Sequence, residues 1–187
     1  MNVTQVWLLY YFTSLALREN ILRVNGSRIR KWWSKKHILS AALAIVSLAW
    51  PDSPLQREFV PYFTAYFLYQ GIVQFLQGWY QSRRHYVLRS LGKASSMDPA
   101  TTEGLQEYHS GLFFLVPLLF LVYVAQGALG IALLHAAYYK LNLFQPWWQY
   151  REEIQVVTIG LGFLLFAGMS SVVLVRTLIY KSSLARK

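Results

Sequence analysis

The sequence predicts an all-α protein, a polytopic membrane bundle of five transmembrane helices. Three observations predict it. Of 187 residues, 55% are hydrophobic and 14% charged, against roughly 25% charged in a soluble globular chain. The missing charge is concentrated in long runs that hold none, and the cations between those runs alternate from rich to poor. The length suits one domain. With no cysteine, a disulfide scaffold, a thiol nucleophile, a Cys-ligated zinc and an iron–sulfur centre are excluded. The apolar content excludes a disordered chain.

Crossing ~30 Å of hydrocarbon as a helix takes about 20 mostly apolar residues. The first span is read at residues 3–22, where Val3 to Leu17 is uncharged and Asn20, Ile21 and Leu22 extend it past Arg18 and Glu19. It is not read as a signal peptide, for it lacks a basic n-region and a small-residue cleavage site. The second, 32–50, is short unless counted from Trp32, which leaves Lys35 and Lys36 snorkelling from its first turns. Phe59 to Tyr80 supplies 22 uncharged residues, and Ile154 to Val175 another 22. The fourth run, 112–139, is 28 residues and about 42 Å long, so it must tilt, kink at Pro117 or project from the bilayer. The stretch 94–102 reads as a linker, with Asp98 and Thr101 or Thr102 as caps for the helix that follows. Residues 176–187 read as a basic tail. Five spans put 15 of the 18 Lys and Arg on one side and three on the other. The positive-inside rule makes the rich side cytosolic, with the C-terminus there and the N-terminus outside.

The third span carries the sharpest feature. Tyr66, Gln70, Gln74, Gln77, Gln81 and Arg84 recur at steps of three and four, which places them within about 80° of arc on one helix face. An amide in a bilayer must find a partner. Interhelical hydrogen bonds are one explanation; a polar cleft opening toward the cytosol is the other. The run from Asn25 to His37 sets Trp32 and Trp33 among Arg28, Arg30, Lys31, Lys35 and Lys36. An interfacial aromatic belt accounts for it, and an anion site with an indole for a purine to stack on is the alternative. The basic excess is split among loops and carries no nucleic-acid motif. The histidines, His37, His85, His109 and His135, form no metal box, and His135 reads as a packing or interfacial residue. No Asp or Glu falls in the middle of a predicted span, which disfavours a proton relay or cation pathway.

The ordered motifs RENILRVNGSRIRKWW (Arg18 to Trp33), LAWPD (Leu48 to Asp52), YQGIVQFLQGWYQS (Tyr69 to Ser82), LRSLG (Leu88 to Gly92) and SMDPATTEG (Ser96 to Gly104) resemble the transmembrane protein 120 family, also called TACAN or TMPIT-like. The resemblance implies an elongase-like helix barrel, a homodimer, and six membrane helices behind an N-terminal coiled coil. This chain aligns from the family's second helix onward. It also implies coenzyme A as ligand, with Trp33 stacking on adenine, Gln77 and Gln81 lining the cleft, Gln5 in place of a family asparagine and Lys181 beside a phosphate. Where the family usually pairs two histidines after the tryptophans, this chain reads SKKH. That leaves His37 as the one candidate catalytic residue, with Lys36 beside it, and makes the histidine box incomplete.

The expected function is therefore a multi-pass protein of the endoplasmic reticulum or nuclear inner membrane. It would bind coenzyme A or acyl-CoA in a cytosol-facing cleft linked to lipid metabolism, with or without an acyl-CoA-dependent reaction. Its partners would be the lipid bilayer and a second copy; no nucleic acid and no metal are expected. Two rivals come from other classes. A mechanosensitive ion channel component would need a conduction path, for which no carboxylate ring or filter-like segment is present. A non-catalytic structural protein of the nuclear envelope would need only the packing.

Overall fold

The computed structural model describes residues 2–26, 31–92, 111–140 and 151–184. They form five helices, α1 (Asn2–Val24), α2 (Lys31–Leu48), α3 (Pro54–Ser90), α4 (Gly111–Lys140) and α5 (Arg151–Leu184). No strand occurs among the described residues. The 94–102 linker with Asp98, the side chains of Trp33, Arg84 and Lys181, and residues 27–30 lie outside the description.

Local chemistry sets the helix ends. Ser53 caps α3, its hydroxyl accepting from the Gln56 N–H at 3.1 Å, with Pro54 next in the first turn, where a missing N–H costs nothing. Gly26 (φ +88°) and Gly92 (φ +68°) follow the last turns of α1 and α3. Both adopt the left-handed conformation that lets a chain leave a helix while bonding its last carbonyls. The Gly26 N–H donates to the Arg23 carbonyl and the Gly92 N–H to that of Arg89.

The helices lie in a row, α1–α2–α5–α4–α3, each packed on its neighbours in that order. Helices α4 and α5 are the most intimate pair. A Cβ placed on Gly130 would stand 2.9 Å from the Gly160 carbonyl oxygen, and one on Gly160 would stand 3.1 Å from the Gly130 oxygen. Such close backbones are what glycine permits in packed membrane helices. Leu43 of α2 lies against Gly162 of α5. Between α3 and α5 the contact is aromatic, Phe163 meeting Phe63 at 5.7 Å and Tyr66 at 5.6 Å between ring centroids.

The LAWPD motif is a latch that ties the α2–α3 turn to the start of α5. Glu152, in the first turn of α5, accepts hydrogen bonds from the Trp50 indole N–H (3.3 Å) and from the Ser53 hydroxyl. The Gln155 amide donates to the Ala49 carbonyl at 3.0 Å. A carboxylate there also complements the positive end of α5. Outside the latch, Arg57 bridges both oxygens of Asp52 at 3.0 Å and holds its carboxyl below the usual range. Both groups are exposed, so the pair adds little.

Among the described residues two helices are long and apolar enough to cross a membrane by length and composition, Phe114–Tyr139 in α4 and Arg151–Ile179 in α5. The other three carry charge or amide within the helix: Arg18, Glu19 and Arg23 in α1, three lysines at the start of α2, and the glutamines of α3. Helices also outrun the spans read from charge. Helix α3 continues from Tyr80 to Ser90, where Arg83 lies over the Trp79 ring at 4.3 Å. Helix α5 continues to Leu184 through most of the stretch read as a tail.

Candidate functional site

The inward face of α3 is settled by burial. Leu55, Phe59, Phe63, Tyr66 and Val73 are buried and recur at helical spacing. Continued along the helix, the same face carries Gln70, Gln77 and Gln81, all half-buried, with the more exposed Gln74 at its edge. The polar stripe thus continues the face that packs on α4 and α5. Among the described residues none of the four amides makes a hydrogen bond. The helix–helix bonds of α3 come from elsewhere: the Tyr69 hydroxyl donates to the Leu118 carbonyl of α4 at 3.2 Å.

A second polar group joins α1, α2 and α5. The His37 Nδ1 stands 2.9 Å from a carboxylate oxygen of Glu19, and both residues are buried. With the hydrogen on Nδ1, the ring donates to the carboxylate. Phe12 stacks on the imidazole at 6.4 Å between centroids. One turn away the Ser34 hydroxyl reaches Asn20 at 3.5 Å. On the α5 side the Lys36 ammonium donates to the Ser170 hydroxyl at 3.1 Å. The residue that sequence reasoning passed over is Glu19, taken there as part of a helix end. Its signal was present: Gln5, Phe12, Ala16 and Glu19 fall on one face of α1, and three of the four are buried.

The residues proposed from the sequence are not all gathered in one place. Gln77 and Gln81 share the α3 face. Gln5 instead ties α1 to α2, its amide donating to the Ser47 carbonyl at 2.9 Å near the latch. Gln77 lies 23 residues beyond Pro54, roughly 35 Å further along α3. His37 sits in the α1–α2 interface with Glu19, and the side chains of Trp33 and Lys181 lie outside the described residues. His135 is exposed, its ring 4.4 Å from that of Tyr139. No cluster of three metal-ligating side chains occurs among the described residues.

Fold and site together define an all-helical bundle with two membrane-length apolar helices and an amide-bearing inner face. The TMEM120A/B family profile matches residues 2–184, and the chain belongs to that family. It is similar to transmembrane protein 120A-A of Danio rerio, 40% identical over 163 residues, which is 86% of this chain and 45% of the relative. Transmembrane protein 120B of Danio rerio is 46% identical over 114 residues, 60% of this chain and 34% of the relative. Transmembrane protein 120B of Homo sapiens is 44% identical over 114 residues, 60% and 33% of the two chains. The chain spans less than half the length of these curated relatives.

Proposed function

We propose that this chain is the membrane domain of a coenzyme A or acyl-CoA binder, its five helices spanning the bilayer as an elongase-like bundle. The observation that carries the reading is the α3 amide stripe: Gln70, Gln77 and Gln81 on the inward face and Gln74 at its edge, none with a hydrogen-bond partner among the described residues. Amides that served to glue helices would be bonded across an interface; these are held ready for something that binds. Coenzyme A suits them. Its pantetheine arm carries two amides, and its phosphates suit the basic rim formed by Arg28, Arg30, Lys31, Lys35 and Lys36. Trp33 stacks on the adenine and Lys181 neutralises a phosphate. The cation-rich side faces the cytosol. Residence in the endoplasmic reticulum or nuclear inner membrane, a link to lipid metabolism and a homodimeric state complete the proposal.

Native mass spectrometry of the purified protein tests it. Wild type is expected to carry a mass equal to coenzyme A. Trp33→Ala is expected to weaken binding by roughly 5- to 150-fold, the ~1–3 kcal/mol of a base stacked on an aromatic ring. Gln77→Leu is expected to weaken binding without lowering the melting temperature. If wild type binds no coenzyme A when it is supplied, or Gln77→Leu lowers only stability, the glutamines are packing groups and the proposal is wrong.

A further inference from the structure

The polar stripe does not end at its glutamines. Its first member, Tyr66, is 5% exposed, and its hydroxyl, closed off from solvent, has no hydrogen-bond partner among the described residues. Around it are the rings of Phe67 and Phe163, and the half-buried Tyr123 phenol of α4 stands near without bonding to it. A native protein rarely leaves such a group unsatisfied without a use for it. The stripe also grows more enclosed toward this end, from the exposed Gln74 through the half-buried Gln70 to Tyr66.

Length identifies what arrives there, given the coenzyme A reading above, on which this inference rests. Tyr66 stands 11 residues before Gln77, about 16 Å along the helix. From the phosphate ester to the thioester carbon the pantetheine arm has about thirteen bonds, ~16 Å at the ~1.2 Å per bond of a fully extended chain. With the phosphate end beside Gln77 and Gln81, the two arm amides pass Gln74 and Gln70, and the acyl carbonyl comes level with Tyr66.

We infer that Tyr66 is a specificity residue, its hydroxyl donating to the thioester carbonyl oxygen and so distinguishing acyl-CoA from free coenzyme A. The order of polar groups along α3 then matches that along the ligand: amide, amide, hydroxyl against amide, amide, carbonyl. The free thiol offers no comparable acceptor.

Equilibrium binding to the purified protein in nanodiscs tests this with three probes: coenzyme A, decanoyl-CoA, and S-decyl-CoA, a thioether in which a methylene replaces the carbonyl. Wild type is expected to prefer decanoyl-CoA over the thioether by about 3- to 10-fold, the range of one hydrogen bond. Tyr66→Phe should abolish that preference while its affinity for the thioether stays within about twofold. Gln77→Leu should weaken all three probes together. An unchanged preference in Tyr66→Phe, or none in wild type, overturns the assignment and leaves coenzyme A binding intact. Failure of wild type to bind any probe overturns the coenzyme A reading itself.

Discussion

His37→Leu should lower the stability of the detergent-solubilised protein by about 3–5 kcal/mol, and adding Glu19→Leu should restore most of that loss. The asymmetry follows from where the pair sits. A carboxylate and an imidazole 2.9 Å apart inside a helix interface have given up water for each other. Removing the imidazole leaves the carboxylate buried with its desolvation uncompensated, which costs about 3–5 kcal/mol, whereas replacing both with apolar groups of similar volume is often near neutral. The effect is large for a second reason. Helix α1 packs on α2 alone among the described elements, and its polar ties there are Gln5 to Ser47, Asn20 to Ser34 and Glu19 to His37. Thermal melts of wild type, both single variants and the double variant, followed by tryptophan fluorescence in one detergent, close the cycle. His37→Leu should melt roughly 10 °C lower. Additive losses within about 0.5 kcal/mol would show that the two side chains are not coupled.

The second large effect belongs to the α4–α5 crossing. Gly130→Val is expected to cost about 3 kcal/mol, because the first added carbon would stand 2.9 Å from a backbone oxygen that cannot move without its helix. Gly71→Ala and Gly168→Ala supply the contrast, since nothing lies within 4 Å of a Cβ at either position. Both should be neutral or slightly stabilising, as alanine is the better helix former. The same melts measure all three. Equal behaviour at Gly130 and Gly168 would mean that the backbones are not in contact there.

Much of the helical skeleton was legible because charge is a coarse and strong signal. A run such as Leu112 to Tyr139 has few alternatives to a helix. Helix ends were harder: α3 runs on to Ser90 because nothing in its sequence breaks it where the charges begin. The amide stripe was legible as a face, since spacing alone fixes it. Its inward direction was not, because that depends on Phe59, Phe63 and Val73 finding α4 and α5. The Glu19–His37 pair was illegible for the same reason. Two residues on different helices meet only when the register of α1 against α2 is known, and one sequence does not carry that register. Gln5 shows the reverse case: grouped with Gln77 and Gln81 by resemblance, it spends its amide on Ser47 instead.

The order of the row has one more consequence. Its two margins are held unequally: α1 packs on α2 alone among the described elements, whereas α3 is held by α4 and also, through Phe63 and Tyr66 on Phe163, by α5. Freeing α1 therefore needs only one seam to open, while α3 must release two at once.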